Sequence, residues 1–248
     1  ITGSGGFIGS HLLNELSERK YEYFAANRKN GDISLRQTWD NFPDSKIVIH
    51  LAGKSFVPDS WSNFFGYTET NLLSTICALE YCKQRNAKLI FLSSYMYGNP
   101  KKLPIPENEE LKVQNPYAMT KKWSEEACEF YSNNFNIPIT IIRPFNVYGP
   151  GMMPKDYRVL PNFATQIAKN EPLKIYGNGN QTRTFCYITD AITGFMKILL
   201  DSKNPDVFNV GNPKPEISMI ELSEIIQKVL NQKIKVEITS YPSTYPAD

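Results

Sequence analysis

No stretch of this sequence approaches the ~18–20 consecutive apolar residues that a membrane-spanning helix requires, and the mean hydropathy of −0.37 agrees. Charge of a single sign is equally absent. The 27 basic residues are scattered and balanced by 25 acidic ones, which removes the electrostatic case for a nucleic-acid partner. Cysteine is scarce: Cys77, Cys82, Cys128 and Cys186 are too few and too dispersed for a disulfide framework or a Cys-x2-Cys zinc site. Two histidines leave any metal site short of ligands, so no metal is expected. With no basic-then-apolar leader, the chain reads as a soluble cytoplasmic protein with reduced thiols. Its 248 residues, 41% of them hydrophobic, allow one large domain, or a domain with a smaller lobe, around a sizeable core.

What is present is alternation. Short β-branched runs take turns with amphipathic stretches, which indicates an α/β architecture: a doubly wound parallel sheet with helices on both faces. Phe7, Ile8, Leu12, Leu13 and Leu16 recur at helical spacing. The pattern predicts strands over 21–26, 46–52, 88–93 and 137–143, and helices over 68–84 and 117–135. After Pro144 the composition shifts towards turn formers, and later strands are short and broken by Pro, Gly and Asn. Helices are expected over 159–169, within 188–201 and over 218–230, the last capped by Ser218 with Glu221 three residues on. Strands are expected over 173–176 and 207–210. A strand should precede Thr2, yet only Ile1 is present, and the polar residues 243–248 bring no closing element. The sequence therefore reads as part of a longer protein whose N-terminal strand is missing.

Chemistry concentrates in three places. Thr2-Gly3-Ser4-Gly5-Gly6-Phe7-Ile8-Gly9 stands immediately before a helix. Glycines at 3, 6 and 9 permit a tight turn, close approach of backbone to a pyrophosphate, and close packing of helix on strand, while the helix N-terminus offers free N–H groups. The second strand should then end in an acid for a ribose 2′-hydroxyl. Here Asn27, Arg28 and Lys29 follow Ala26, and Arg28 could pair with a 2′-phosphate, which favours NADP over NAD. A solvated basic turn is the plainer alternative. Further on, Tyr117 and Lys121 lie at i and i+4 on one helix face. A nearby ammonium favours the phenolate of a tyrosine, allowing proton exchange with a sugar hydroxyl or ketone. Ser93 and Ser94, at the end of a strand, offer a hydroxyl for the same oxygen.

Glycine turn, strand-end serine and Tyr-x3-Lys, in that order, resemble the NAD-dependent epimerase/dehydratase family, extended short-chain dehydrogenases/reductases acting on nucleotide sugars, UDP-glucose 4-epimerases among them. The resemblance runs through GDIS (31–34), HLAGKSFVPDSW (50–61), TETN ending at Asn71, SSYMYG (93–98), RPFNVYGPG (143–151), IYGNGNQTRTFCYITD (175–190) and FNVG (208–211). It implies that Asp32 and Ile33 flank the adenine of NAD or NADP, that Leu51, Ala52, Gly53 and Asn71 line the cofactor cleft, and that Lys121 holds the nicotinamide ribose. Pro144 to Val147, with Asn146, would meet the carboxamide. Asn146 and Arg183 would face the nucleotide sugar, Arg183 near its diphosphate or base. The helices over 68–84 and 117–135 are where this family commonly forms a homodimer through a four-helix bundle.

Two departures bear on the reaction. SSYMYG is one residue shorter than the family's usual segment, so counting from Gly98 selects Ser93 while counting along the strand selects Ser94, the favoured choice. Dehydratases of the family carry an acid pair after the catalytic hydroxyl; Tyr95 and Met96 stand there instead. The expectation is thus a Rossmann-type dinucleotide domain over 1–146 and a mainly substrate-binding lobe over 147–248, with a return to the sheet at 188–210. An NDP-sugar 4-epimerase is the first reading and an NADPH-dependent 4-keto-sugar reductase the alternative. A non-catalytic nucleotide-binding relative comes third.

Overall fold

The computed structural model describes residues 1–154, 156–201 and 206–241; the closing residues 243–248 noted above lie outside the described residues. Four short apolar runs form its centre: β1 (Ile47–His50), β2 (Lys88–Leu92), β3 (Ile139–Pro144) and, late in the chain, β8 (Asp206–Val210). They pair in parallel in the order β1-β2-β3-β8. Successive strand residues point to opposite faces. Both faces are buried here, so Leu89-Ile90-Phe91 is apolar throughout rather than alternating. Val48, Leu89, Phe91, Ile139 and Ile141 meet Trp39, Leu79 and Cys128 on one side. Ile49, Ile90 and Ile142 meet Leu12, Leu16, Ile188 and Phe195 on the other. Helices α5 (Ser74–Arg85) and α6 (Pro116–Phe135) cover the first face, α1 (Phe7–Glu18) and α8 (Ile188–Asp201) the second. This is the expected α/β sheet, and residues 206–210 return to it, with Phe208 in register with Ile142.

The intervening pieces are smaller. Helices α2 (Arg36–Asp40), α3 (Val57–Ser60) and α4 (Phe64–Tyr67) lie before α5. Past β3, β4 (Val147–Tyr148) pairs with β7 (Cys186–Tyr187), β5 (Leu173–Tyr176) with β10 (Val236–Thr239), and β6 (Thr182–Arg183) with β9 (Ile217–Ser218). Helices α7 (Val159–Ala168) and α9 (Met219–Leu230) bury Phe163, Met219 and Leu222 against Leu173 and Ile175, a core separate from the sheet's two. The capping box opening α9 is formed: Ser218 Oγ accepts from the Glu221 N–H at 3.1 Å, and Glu221 Oε2 from the Ser218 N–H at 2.7 Å.

Two expected elements differ. Residues 21–26 are extended but form no strand: only Ala26 bridges Thr2, which bridges His50 on its other side. Tyr21 and Tyr23 are both more than 40% exposed, whereas Phe24 and Ala26 pack into the core beside Trp39 and Phe42. The run meets the sheet through Ala26 N–H to Ile1 O (2.8 Å) and Ser4 N–H to Ala26 O (3.4 Å). The helix expected over 68–84 begins earlier, at Phe64, and residues Thr68–Leu73 form one wide π turn between α4 and α5. That turn aims Asn71 inward. Its Oδ1 accepts from the Lys54 N–H (2.8 Å), and its Nδ2 donates to Lys54 O (3.1 Å) and Thr120 Oγ1 (2.9 Å).

A directional hydrogen-bond chain ties the same turn to the glycine-rich opening. Ala52 N–H reaches Thr2 Oγ1 (3.3 Å), which lies 2.8 Å from His50 Nδ1; His50 Nε2 lies 3.1 Å from Ser74 Oγ, which donates to Thr70 O. The donors run in one sense only if His50 is neutral with its proton on Nε2. Burial, with Lys121 nearby, pushes His50 down to about 3 and keeps it neutral.

Candidate active site

A cavity of about 1730 Å³ opens at the carboxyl ends of β1, β2 and β3, bounded opposite by residues of β5 and by 181–185. Ligands of open parallel sheets bind at this end. Its first wall is the glycine turn. Gly3 has φ +67, and a Cβ there would lie 2.6 Å from Ala52 N; at Gly9 a Cβ would lie 2.3 Å from Gly3 O. Those two glycines are demanded by the protein's own packing. Gly6 is not, since its Cβ would meet only Gly3 O, at 3.2 Å, and the residue faces the cavity. No side chain caps α1, and its first turn carries no acid, so the amides of Phe7 and Ile8 remain for an anion. Leu51 and Gly53 extend this wall; a Cβ on Gly53 would lie 3.0 Å from Asn71 Oδ1 and 3.5 Å from Lys121 Nζ. The pyrophosphate of a dinucleotide fits this surface.

The second wall comes from the start of α6. Asn115 caps that helix by accepting from the Ala118 N–H (2.8 Å), and Pro116 sets its first turn. Tyr117 is thereby placed on the cavity, with Lys121 one turn deeper. Lys121 is 5% exposed; its Nζ donates to Leu92 O at 2.8 Å and sits 4.8 Å over the Phe91 ring. Burial pulls Lys121 down to about 8. Burial raises Tyr117 above the usual phenol value, opposed by its hydrogen bond with Ser94 and by the Arg158 guanidinium. Lys121, expected to tune Tyr117, has its ammonium donated to a backbone carbonyl here. Of the two serines, Ser94 is bonded to Tyr117, whereas the buried Ser93 Oγ, also on the cavity, has no partner among the described residues.

The third wall carries Pro144, Asn146 and Val147. Asn146, at φ +40, donates through Nδ2 to Thr184 O (3.0 Å) and accepts from the Tyr95 hydroxyl (3.1 Å). The Phe145 ring is stacked between Tyr95 (5.0 Å) and Tyr97 (6.0 Å). Tyr97 Oη donates to Asn209 Oδ1 and accepts from Arg143 Nη1, both at 2.7 Å. Arg143 in turn forks onto Glu125 at 3.0 and 2.5 Å, with both side chains 7% exposed. This buried network fixes the floor of the cavity. Arg183 lines the opposite side, its Nη1 on Thr182 O at 2.8 Å.

Several expected contacts fall outside the cavity wall. Asn71 is buried beneath it, its amide bonded to Lys54 and Thr120, which braces Gly53 and α6. Ala52 is spent on packing against Gly3 and on Thr2. Asn27, Arg28, Asp32 and Ile33 lie beyond the wall. Asn27 and Asn30 form a capping box about residues 28–30, and Asp32 Oδ1 accepts from the Ser34 N–H and hydroxyl. Arg28 stands exposed at this edge. Sequence reasoning missed Asp156 and Arg158; their only signal was an acid and a cation directly ahead of the apolar run of α7. Among the described residues no three His, Cys, Asp or Glu side chains gather as a metal site, and no helix is long and apolar enough to cross a membrane.

Comparison with known proteins agrees with this geometry. The sequence profile of the NAD dependent epimerase/dehydratase family matches residues 1–211. A putative UDP-glucose 4-epimerase of Methanocaldococcus jannaschii is 34% identical over 248 aligned residues, covering 92% of this chain and 80% of that one. UDP-glucuronic acid decarboxylase 5 of Arabidopsis thaliana is 31% identical, with 96% and 76% covered. Among solved structures, the UDP-glucuronic acid 4-epimerase of Bacillus cereus, in complex with UDP-glucuronic acid and NAD, superposes with a TM-score of 0.86 at 28% identity, covering 99% and 87% of the two chains.

Proposed function

The chain belongs to the NAD-dependent epimerase/dehydratase family, and from that premise we propose that it is a nucleotide-sugar 4-epimerase working with NAD. One observation carries the reading: the Ser94 hydroxyl is bonded to the Tyr117 phenol on a cavity whose facing wall is the uncapped start of α1. NAD bound here would supply reversible hydride transfer at sugar C4. The chain's own part is orientation and proton handling. Amides of Phe7 and Ile8 would hold the pyrophosphate of NAD, and Lys121 and Gly53 would serve its nicotinamide ribose. Tyr117 removes the proton of the C4 hydroxyl and later restores it, while Ser94 holds that oxygen. Asn146 and Arg183 face the nucleotide sugar, Arg183 through its fork towards a phosphate. Tyr95 and Met96, where dehydratases carry acids, leave elimination of water without its acid and base.

The test is direct. Protein denatured after purification should release NAD, and it should interconvert UDP-glucose and UDP-galactose or their uronic counterparts. Tyr117→Phe should lose turnover and keep NAD; unchanged turnover would remove Tyr117 from the mechanism. Carbon dioxide released from UDP-glucuronate would move the reading to a decarboxylase, which begins with the same C4 oxidation. A second reading, a 4-keto-sugar reductase using NADPH, is favoured by Arg28 and Lys29 standing where an acid would select NAD. Under it Arg28→Ala weakens NADPH selectively; equal effects on NADH and NADPH would dismiss it. A chain that binds cofactor tightly and turns over no nucleotide sugar would be a non-catalytic relative.

We also assign the outward faces of α5 and α6 to a cytoplasmic homodimer. Phe130 and Phe135 of α6 are exposed there, as is Leu73 just before α5, and sedimentation at micromolar concentration checks it.

A further inference from the structure

The floor of the cavity is one continuous chain of contacts that begins about two turns past Tyr117 on α6. There the Glu125 carboxylate is forked by Arg143 of β3 at 3.0 and 2.5 Å. The remaining arm of the guanidinium, Nη1, donates to Tyr97 Oη (2.7 Å) and to Glu107 O (3.0 Å). Asn209 of β8 completes the clamp. Its Oδ1 accepts from Tyr97 Oη (2.7 Å), its N–H donates to Glu107 Oε1 (3.0 Å), and its Nδ2 to Ile105 O (2.9 Å). Tyr97, so held, is 1% exposed. From its ring the chain continues by stacking: Phe145 lies within 20° of parallel at 6.0 Å, and Tyr95 within 20° of Phe145 at 5.0 Å. Tyr95 ends the stack and differs from its supports. It lines the cavity, is 41% exposed, and has its hydroxyl tied to Asn146 Oδ1 at 3.1 Å.

We propose that Tyr95 is the platform against which the sugar ring packs, and that buried Arg143 is the positioning residue that sets its plane. Phe145 covers one face of the Tyr95 ring, so the exposure belongs to the other face and the edges. Tyr95 directly follows Ser94, its Cα about 3.8 Å away, and both line the cavity. A pyranose held at one oxygen by Ser94 therefore comes to rest against that ring. The C–H bonds of a pyranose face carry slight positive charge and meet the negative face of an aromatic ring favourably. An exposed tyrosine ordinarily loses side-chain freedom when a ligand orders it. Here the stack beneath and the bond to Asn146 have ordered it beforehand, and the stack is in turn fixed by the Arg143 bond to Tyr97. The inference rests on the proposed function, in which Ser94 holds the C4 oxygen.

Calorimetric binding of UDP and of UDP-glucose to the whole NAD-loaded chain tests this without turnover, because the difference between the two ligands reads the sugar. Tyr95→Ala should weaken UDP-glucose about tenfold and leave UDP unmoved. The double variant Arg143→Met with Glu125→Met, which strands no buried charge, should weaken UDP-glucose about threefold as the stack loosens. Tyr97→Phe, which removes one hydroxyl, should act in the same direction and carries the test if the double variant does not fold. In a Tyr95→Ala background neither change should weaken UDP-glucose further, since the platform they hold is gone. UDP-glucose bound as before by Tyr95→Ala overturns the platform. A loss shared equally by UDP, or one that persists undiminished beside Tyr95→Ala, overturns the positioning role. A parent that prefers UDP-glucose to UDP through Tyr95 yet interconverts no sugar loses the proposed function and keeps the platform. A parent that binds neither ligand loses both.

Discussion

Replacing Lys121 by methionine should leave the protein inactive and more stable at neutral pH. Lys121 is buried, and its folded-state value of about 8 lies some 2.5 units below the ordinary 10.5. At about 1.4 kcal/mol per unit, carrying this proton in the fold costs roughly 3 kcal/mol. Below about pH 8 the lysine is charged in folded and unfolded chain alike, and the cost is present in full. Between 8 and 10.5 the unfolded chain holds a proton that the folded chain has shed, so the parent gains stability as pH rises. Methionine removes the charge but strands the Leu92 carbonyl, which returns about 1 kcal/mol. The net gain near pH 7 is about 2 kcal/mol, or a Tm higher by about 4–8 °C for a chain of this size. Urea unfolding of parent and variant, followed by circular dichroism at several pH values, measures it. The variant's advantage should shrink towards pH 10.5 and then reverse. A variant less stable at pH 7, or a difference that ignores pH, would refute the argument.

Other outcomes follow from the packing. Glu125→Ala leaves Arg143 buried without its forked partner and should cost about 3–5 kcal/mol in the same unfolding assay; the double variant with Arg143→Met should recover much of it. Gly9→Ala drives a methyl into Gly3 O and should give little folded protein, whereas Gly6→Ala should unfold within about 1 kcal/mol of the parent and bind NAD more weakly by calorimetry. Asn71→Ala strands the N–H and C=O of Lys54 and should cost about 2–4 kcal/mol, with a raised KM for the cofactor as Gly53 loses its brace.

The parts of this protein legible in its residues are those set by local spacing. Gly9 is required by its contact with Gly3 inside the turn, and the Tyr117–Lys121 pair follows from helix periodicity alone; Gly3, by contrast, is required by the distant Ala52. The apolar runs of β1, β2 and β3 announce strands covered on both faces. What escaped is decided by distant neighbours. Whether residues 21–26 pair as a strand depends on Thr2 and Ile1 lying beside them, not on their own aromatic content. Asn71 looks like a cleft residue until the backbone is known to widen at 68–73, which sends its amide inward. Ser93 and Ser94 are equivalent in spacing; strand register separates them.

The wide turn at 68–73 also constrains how this chain can change its length. A π turn holds one residue more than an α turn, so deleting a single residue there would let the helix run on as regular α-helix. Because the wide turn carries its extra residue over nearly the same rotation as an α turn, the positions before and after such a deletion would keep their faces. Leu79 and Cys82 would stay against the sheet, whereas Asn71, which the wide turn sets against Lys54 and Thr120, would lose its aim. Point substitutions are absorbed one side chain at a time, but the residue count of this turn is tied to a single brace. A shortened copy would keep its core and surrender the brace of Gly53.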